Sequence, residues 1–250
     1  GKGANLADMT SIGLPVPPGF TITTETCAAY SKNGNRMPSG LMNDVAAHVK
    51  RLEKFTGKSF GSKTNPLLVS VRSGAAVSMP GMMDTVLNFG LIDAVAEQII
   101  LLTSERFVFD LYRRLIQMFG SVVMDVPDEV FEAVIEAQRK VAGVKTDAEM
   151  NAEDWKVVTK QFKQIYKTHT HEDFPEVPYL QLKHGTEAVF KSWNSKGPMP
   201  IGILQAFPMI WARQSTSRPW STAIFQRIQE TELLCPAMLP TAGTSSKAIF

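Results

Sequence analysis

The feature that most constrains the fold is a change of hydrophobic period near Leu91. Before it, the segment "PLLVSVRSG" (66–74) is rich in β-branched and apolar residues between a proline and a glycine, a pattern that predicts a buried strand. After it, apolar residues recur every three to four positions, which is typical of amphipathic helices. A strand-containing start followed by a helical block predicts an α+β fold.

Three apolar stripes carry the helical prediction. Each keeps the spacing of one buried helix face, and the segment "THTHEDFPEVP" (168–178) is then predicted to be a return loop before one more helix, "GTEAVFKSWNSK". The stripes are Phe107, Leu111, Leu115, Met118 and Val122; Phe131, Val134, Ile135 and Val141; and Trp155, Val158, Phe162 and Ile165.

Composition excludes several classes of protein. The 250 residues are 44% hydrophobic and 20% charged with a formal net charge of +2, so no basic surface for nucleic acid is indicated. No apolar run approaches the roughly 20 residues that span a bilayer. Cys27 and Cys235 form no CxxC, which fits a reducing cytoplasm. Because the sequence begins with Gly1 rather than methionine, it is expected to be a fragment or a trimmed chain.

Two basic residues are candidates for binding phosphate. Lys2 lies between two glycines, and a glycine-flanked lysine can present backbone N–H groups and an ammonium to phosphate oxygens, although an exposed turn gives the same tripeptide. Arg72 ends the predicted strand, where binding residues gather on a rigid scaffold. Its planar fork of donors matches phosphate oxygens, while a surface salt bridge is the alternative.

The loop that follows Arg72, "SMPGMMDT" (78–85), is the third candidate. Its glycine lets the backbone approach a ligand, its methionines form an adaptable apolar wall, and its last two residues are polar. Methionines that fill a small satellite core are the alternative. The candidate binding residues of this loop are Met79, Gly81, Met82, Met83, Asp84 and Thr85.

Other candidates have weaker support. His169 and His171 could bind metal from one face of a strand, but a solvated loop is the simpler interpretation because no CxxC-type partner is present. Cys27 is expected in the core. The sequence contains no GxSxG, HExxH or GxxxxGK[ST] motif, and no residue is assigned as a metal ligand.

Two stretches resemble a known family. "GKGANLADMTSIGLPVPPGFTITTETC" and "LLVSVRSGAAVSMPGMMDTVLNFGL" are similar to the N-terminal nucleotide-binding domain of the pyruvate, phosphate dikinase family, and "ERFVFDLYRRLIQMFGSVVM" and "EAVFKSWNS" resemble the same family further on. The similarity runs over residues 1–196. Phosphoenolpyruvate synthases, with a VRSSAT-type motif, are the alternative enzyme family, and a non-catalytic nucleotide-binding fragment is the alternative of another class.

The resemblance implies an ATP-grasp-like fold and a Mg²⁺-dependent reaction of ATP, phosphate and pyruvate to AMP, pyrophosphate and phosphoenolpyruvate. It implies that Lys2 and Arg72 hold ATP phosphates and that residues 79–85 cover the nucleotide. It also implies a phosphohistidine domain and metal ligands outside the matched region, a homodimer at full length, and a location in the cytoplasm or, after removal of a transit peptide, an organelle. As written, the chain is expected not to complete the reaction.

The resemblance also divides the chain. Residues 1–91 are predicted to be the first part of the ATP-binding domain, and 178–196 its continuation. Residues 92–177 are predicted to be a mainly helical insertion with no cluster of titratable groups and no direct part in the chemistry.

Residues 197–250 are predicted to be a non-native tail. Only six of these 54 residues are charged, and the resemblance stops at Lys196. The codons of "IWARQSTSRPWS" allow "LGTAVNVQTMV" when each triplet starts one base earlier, which is similar to the family's continuation. We therefore expect a single-base frameshift near the Lys196 codon, so that the tail packs poorly and holds no site residue.

Overall fold

The computed structural model describes residues 2–14, 16–73, 85–194, 208–212 and 248–249, and only the backbone of 2–4, 193–194, 208–212 and 248–249. The helices are α1 (Lys2–Ser11), α2 (Thr24–Lys32), α3 (Leu41–Thr56), α4 (Asp93–Leu102), α5 (Glu105–Met118), α6 (Asp128–Ala142), α7 (Ala152–Thr170) and α8 (Pro178–Asn194). The strands are β1 (Gly19–Ile22), β2 (Ser59–Phe60), β3 (Pro66–Leu67), β4 (Val69–Ser73), β5 (Val86–Phe89), β6 (Pro208–Ala212) and β7 (Ala248–Ile249). The mixed helix and sheet content confirms the α+β prediction.

Five of these strands form one antiparallel sheet. Their order is β5-β4-β6-β1-β7, and β2 and β3 form a separate parallel pair. Because β6 is antiparallel to both β1 and β4, those two strands run in the same direction. Their carboxyl ends therefore lie at the same edge of the sheet.

One face of the sheet is packed against α8. The chain allows this close packing at Gly185, where an added Cβ would lie 2.6 Å from Cζ of Phe89 on β5. On the same side, Tyr30 of α2 contacts Phe190 of α8 with ring centroids 5.1 Å apart. Residues of α2, α3, α8 and the sheet belong to one buried apolar cluster, so the helices near the sheet share a single core with it.

Between β5 and α8 the chain is helical, as its apolar spacing predicts. α4 to α7 fill this region, with a π-helical turn at Phe119–Val123 and a 3₁₀ turn at Asp147–Glu149. α7 begins with a capping box in which Asn151 and Asp154 bond each other's backbone N–H groups, an arrangement that satisfies two orphan donors of a helix start. We call residues 92–177 the insertion.

For two residues of the predicted stripes, the prediction of a buried side chain is wrong. Phe107 is 47% exposed and Val141 is 80% exposed. In α5 the buried face includes Val108 in place of Phe107, together with the predicted Leu111 and Leu115. The π-helical turn that follows α5 also changes the number of residues per turn, so a single 3.6-residue period does not extend through it.

Several predicted boundaries shift. α1 begins at Lys2, so this residue opens a helix and does not lie in the predicted loop. α7 continues to Thr170, and α8 starts at Pro178, well before the predicted start. Proline is favourable in the first turn of a helix, where its missing N–H costs nothing, and this explains the early start of α8.

The tail prediction is not confirmed. Residues 208–212 form β6, which lies between β1 and β4 in the sheet, and residues 248–249 pair with β1. β6 pairs with both β1 and β4, and these two strands do not pair with each other. That residues 197–250 are translated out of frame stays a prediction.

Candidate functional site

Strand β4 places Arg72 on the sheet face opposite the core. Val69, Val71 and Ser73 of this strand are buried, whereas Ser70 and Arg72 are half-buried, as expected when successive side chains point to opposite faces. The alternation of "VSVRS" is the sequence signal for this placement. We call the sheet face that carries Arg72 the Arg72 face.

The strand register extends the Arg72 face towards β1. Arg72 is paired with Met209, and Met209 is paired with Thr21. Directly paired residues share a face, so Thr21 lies on the Arg72 face two strands away, about 10 Å across the sheet. Thr21 is half-buried. The sequence analysis missed this residue, although the alternation of "GFTI" could have indicated it.

Thr85 lies beside Arg72. It directly precedes Val86, which is paired with Val71, so continuing the antiparallel register by one residue puts Thr85 opposite Arg72. Thr85 is half-buried. The other predicted loop residues, Met79, Gly81, Met82, Met83 and Asp84, lie outside the described residues. Of the predicted site residues, Arg72 on β4 and Thr85 directly before β5 thus belong to two paired segments of the sheet.

The guanidinium of Arg72 contains a buried donor with no partner among the described residues. Its Nε is inaccessible to solvent and makes no hydrogen bond to any of them, and no ion pair joins Arg72 to another described residue. A buried donor left unpaired costs about 1–3 kcal/mol. An anion bound on the Arg72 face would remove this cost, whereas the salt-bridge alternative has no support among the described residues.

Lys2 opens α1, and its backbone alone is described. The N-terminal turn of a helix presents unpaired N–H groups and the positive end of the helix dipole. This environment suits an anion, so the backbone position of Lys2 agrees with a phosphate site.

The described residues do not form a metal site by themselves. Among them, no three His, Cys, Asp or Glu side chains come together in a way that could hold a metal ion. His169 lies in the last turn of α7 and His171 caps it. Mg²⁺ is therefore not assigned to any residue in the described part of the chain.

Cys27 is a core residue, as expected. It is 7% exposed on α2, and burial raises the pKa of its thiol to about 11. A thiol of this kind is protonated at neutral pH and is a poor nucleophile. Cys27 therefore has no part in the candidate site.

The insertion contains clusters of titratable groups, so the prediction that it has none is wrong. In the first, Nζ of Lys163 lies 2.6 Å from Oδ1 of Asp93 and 2.7 Å from Oε1 of Glu176. The Tyr112 hydroxyl donates to the same oxygen of Glu176 at 2.9 Å, and burial, together with Glu176 and Asp93, raises the pKa of Tyr112. Charge spacing in the sequence did not reveal this cluster because its members come from four separate segments.

A second cluster surrounds Arg113. Its guanidinium lies 2.9 Å from Asp110 and 3.5 Å from Asp147, and it stacks 4.3 Å above the ring of Trp155. Nearby, Arg106 donates to the carbonyls of residues 147, 148 and 150. The charge of Arg113 is neutralised by carboxylates and the donors of Arg106 are bonded to backbone carbonyls, which indicates a structural role for both.

Gln181 ties the two ends of the insertion to each other. Its side chain is fully buried, accepts from the Gly90 N–H at 2.9 Å, and donates to the carbonyls of Leu91 and Pro175 at 3.1 and 2.8 Å. Gly90 directly follows β5, and Pro175 lies shortly before α8. The insertion therefore joins the sheet through a fixed, hydrogen-bonded neck.

No helix in the described ranges is both long enough and apolar enough to cross a membrane.

Comparison with known proteins agrees with the motifs at the Arg72 face. Residues 1–53 match the family profile described as pyruvate phosphate dikinase, AMP/ATP-binding domain. The chain is 50% identical over 197 residues to a pyruvate, phosphate dikinase of Entamoeba histolytica, covering 78% of this chain and 22% of that protein. It is 49% identical over 195 residues to pyruvate, phosphate dikinase 2 of Zea mays, again covering 78% of this chain and 22% of the relative.

A third relative matches the whole chain at lower identity. The pyruvate, phosphate dikinase of Clostridium symbiosum is 40% identical over 252 residues, covering 100% of this chain and 28% of the relative. The chain thus spans about a fifth to a quarter of the length of the curated relatives. Within that span, the resemblance is confirmed: the chain belongs to the pyruvate, phosphate dikinase family.

Proposed function

We propose that this chain is the ATP-binding part of a pyruvate, phosphate dikinase. The observation that carries the proposal is the match of residues 1–53 to the family's AMP/ATP-binding domain, within a chain 40–50% identical to dikinases. In the proposed reaction, ATP, phosphate and pyruvate give AMP, pyrophosphate and phosphoenolpyruvate. The phosphoryl group passes through a phosphohistidine on a domain outside this chain.

The Arg72 face supports the place of the nucleotide. Phosphoryl transfer asks a protein mainly to position the phosphates and to neutralise their charge. Arg72 offers a cation whose buried Nε has no partner among the described residues, and Thr85 directly precedes β5, the strand that pairs with the strand of Arg72. We propose that Arg72 and Lys2 hold ATP phosphates and that Met79, Gly81, Met82, Met83, Asp84 and Thr85 cover the nucleotide.

Several further parts of the proposal follow from the family. The architecture is ATP-grasp-like, with residues 1–91 and 178–196 in the ATP-binding domain and the insertion outside the chemistry. Mg²⁺ accompanies ATP, with ligands outside the matched region. The full-length protein is a homodimer in the cytoplasm or in an organelle, and some relatives carry the word chloroplastic in their names.

We also propose that the chain alone binds nucleotide without completing the reaction, and that residues 197–250 are read out of frame. Relatives such as those of E. histolytica and Z. mays match over 195–197 residues, which supports a change of sequence character after about residue 196. The whole-length match to the C. symbiosum protein and the position of β6 count against it. Sequencing the DNA across the Lys196 codon decides between the two: if no neighbouring frame encodes a GTAVNVQ-like peptide, the frameshift is excluded.

Binding of nucleotide to the 250-residue chain tests the proposed function. Isothermal titration calorimetry should show binding of ATP, and Arg72→Ala should weaken it by about 10–100-fold because a charge-assisted contact is lost. Arg36→Ala is the matched control, since Arg36 is an exposed arginine in the loop between α2 and α3. Equal ATP affinity of Arg72→Ala and the wild-type chain would remove Arg72 from the site.

The reaction itself needs the full-length protein. A dikinase requires added phosphate and releases pyrophosphate with AMP. Turnover without added phosphate would favour the alternative, a phosphoenolpyruvate synthase-like enzyme. Protection of the 250-residue chain from proteolysis by ATP, with no AMP formed, would fit a binding fragment.

A further inference from the structure

The Arg72 face carries a second polar side chain, that of Thr21 on β1. Its neighbours Phe20 and Ile22 are each 1% exposed and belong to the core, whereas Thr21 is half-buried. Because successive side chains of a strand point to opposite faces, the Thr21 side chain lies on the face opposite the core. Its hydroxyl makes no hydrogen bond within the part of the chain that the structure describes.

The strand register fixes where Thr21 lies relative to Arg72. Arg72 is paired with Met209, and Met209 is paired with Thr21. The preceding row joins Val71 to Phe20 through β6 in the same way, and both of these residues are buried. The two rows therefore agree on which face is the core. Two strand spacings, about 10 Å, separate the backbones of Thr21 and Arg72.

Only one end of this row carries a charge. In chain order, the five strands of the sheet read GFTI, VSVRS, VLNF, PMIWA and AI, so Arg72 is the one charged residue within these described strands. Phosphate oxygens form their strongest hydrogen bonds with cationic donors, so the Arg72 end suits the phosphates of a ligand. The Thr21 end offers a neutral hydroxyl, which suits a neutral group of the same ligand.

We propose that Thr21 determines specificity in the nucleotide site: its hydroxyl binds a ribose hydroxyl of ATP while Arg72 holds phosphates. This inference rests on the proposed function, which it deepens. The ribose is the first neutral group beyond the phosphate chain. Its hydroxyls both donate and accept hydrogen bonds, as the threonine hydroxyl does. In this arrangement the nucleotide lies across the strands, from β4 over β6 to β1.

The test compares ATP with 2′-deoxy-ATP and 3′-deoxy-ATP by isothermal titration calorimetry of the 250-residue chain. The wild-type chain should bind ATP about threefold to tenfold more tightly than at least one deoxy analogue, as expected for one neutral hydrogen bond. Thr21→Val removes the hydroxyl and keeps a β-branched side chain that suits a strand. It should weaken ATP binding by the same factor and abolish the preference, because protein and ligand lose two halves of one contact.

Three further variants serve as controls. Thr21→Ser keeps the hydroxyl and should keep the preference for ATP. Thr170→Val is the matched control in the insertion, since Thr170 is also half-buried but its hydroxyl donates to the Tyr166 carbonyl at 2.8 Å; it should leave all affinities unchanged. Arg72→Ala should weaken binding of all three nucleotides and of pyrophosphate, and it should keep the preference because the ribose contact remains.

The outcomes separate this inference from the proposed function. A wild-type chain that does not bind ATP contradicts both. If Arg72→Ala weakens ATP binding but Thr21→Val does not, the proposed function stands and the inference is overturned. An equal loss for all three nucleotides in Thr21→Val also overturns it, as does a wild-type chain with no preference for ATP over either analogue. Weaker binding of pyrophosphate in Thr21→Val would assign Thr21 to the phosphates instead. Loss of the preference in Thr21→Ser would assign the effect to packing, and either result rejects the ribose contact.

Discussion

The Arg72 face and the insertion differ in how they treat buried charged groups. Arg113 in the insertion has two carboxylate partners and a stacked indole ring, and Lys163 has two carboxylate partners. Arg72 has no ion-pair partner among the described residues, and its Nε is buried and unbonded. A protein that neutralises a buried charge internally uses it for structure, whereas an unpaired one is available to a ligand.

The contrast between the paired insertion and the unpaired Arg72 face holds for charged side chains, but it does not hold for every buried polar atom. The Trp155 Nε1 and the Tyr166 hydroxyl in the insertion are also buried, and neither has a hydrogen-bond partner in the part of the chain that the structure describes. Both groups are neutral and belong to large aromatic side chains in the core, where burial of the ring outweighs one lost hydrogen bond. The comparison therefore depends on arginine and lysine, and it leads to predictions of different kinds for the two regions.

The largest expected effect is on turnover. In a full-length version of this protein, Arg72→Ala and Lys2→Ala should each lower turnover about 10²–10³-fold, because one charged contact to the transition state is lost. Circular dichroism should show a folded protein in both cases. Arg36→Ala should keep normal turnover. Near-normal activity of either site variant would exclude that residue from the site.

The next effect is on stability at the neck of the insertion. Gln181→Leu leaves the Gly90 N–H and two carbonyl groups without their buried partners, so we expect a loss of about 3 kcal/mol in the free energy of unfolding. Chemical denaturation of the 250-residue chain measures it. The control Gln164→Leu, at an exposed position on α7, should change stability by less than about 0.5 kcal/mol. Equal stabilities would mean that the neck bonds contribute nothing.

Arg113 gives the direct counterpart of Arg72. Its side chain is 8% exposed, while Asp110 and Asp147 are 23% and 43% exposed. Because water partly screens these partners, Arg113→Met should cost about 2 kcal/mol, less than a fully buried pair, and ATP affinity should not change. Arg114→Met is the control, since Arg114 pairs with the same Asp110 but is 56% exposed. A loss of ATP binding in Arg113→Met would break the distinction between the two regions.

The smallest effect is expected at Lys163. Its side chain is 26% exposed, and Asp93 and Glu176 are 66% and 41% exposed. Lys163→Met should therefore cost about 1 kcal/mol, and the difference from the wild-type chain should shrink in high salt. Lys167→Met, which removes a more exposed pair with Asp173, should have no measurable effect. If Lys163→Met lowered the free energy of unfolding as much as Gln181→Leu, solvent would screen the Lys163 ion pairs less than their exposure implies.

The sequence by itself determined the broad fold and the family. The β-branched, apolar run between Pro66 and Gly74 and the three-to-four spacing in α5 and α7 are local patterns, and they correctly predicted a strand and helices because each depends on nearby residues. The "VRSGAAVSMPGMMDT" motif likewise carried the family resemblance. These features depend on residues close together along the chain.

The tertiary structure alone decided which side chains meet. Thr21 and Arg72 share a row only because β6 separates and aligns β1 and β4, and Lys163 meets Asp93 and Glu176 across three segments. The buried side of α5 and the start of α8 were also set by packing, at Val108 and Pro178. Strand pairing and ion pairing over long sequence separations leave no periodic trace in the sequence, since their energy comes from contacts that exist only after the chain has folded.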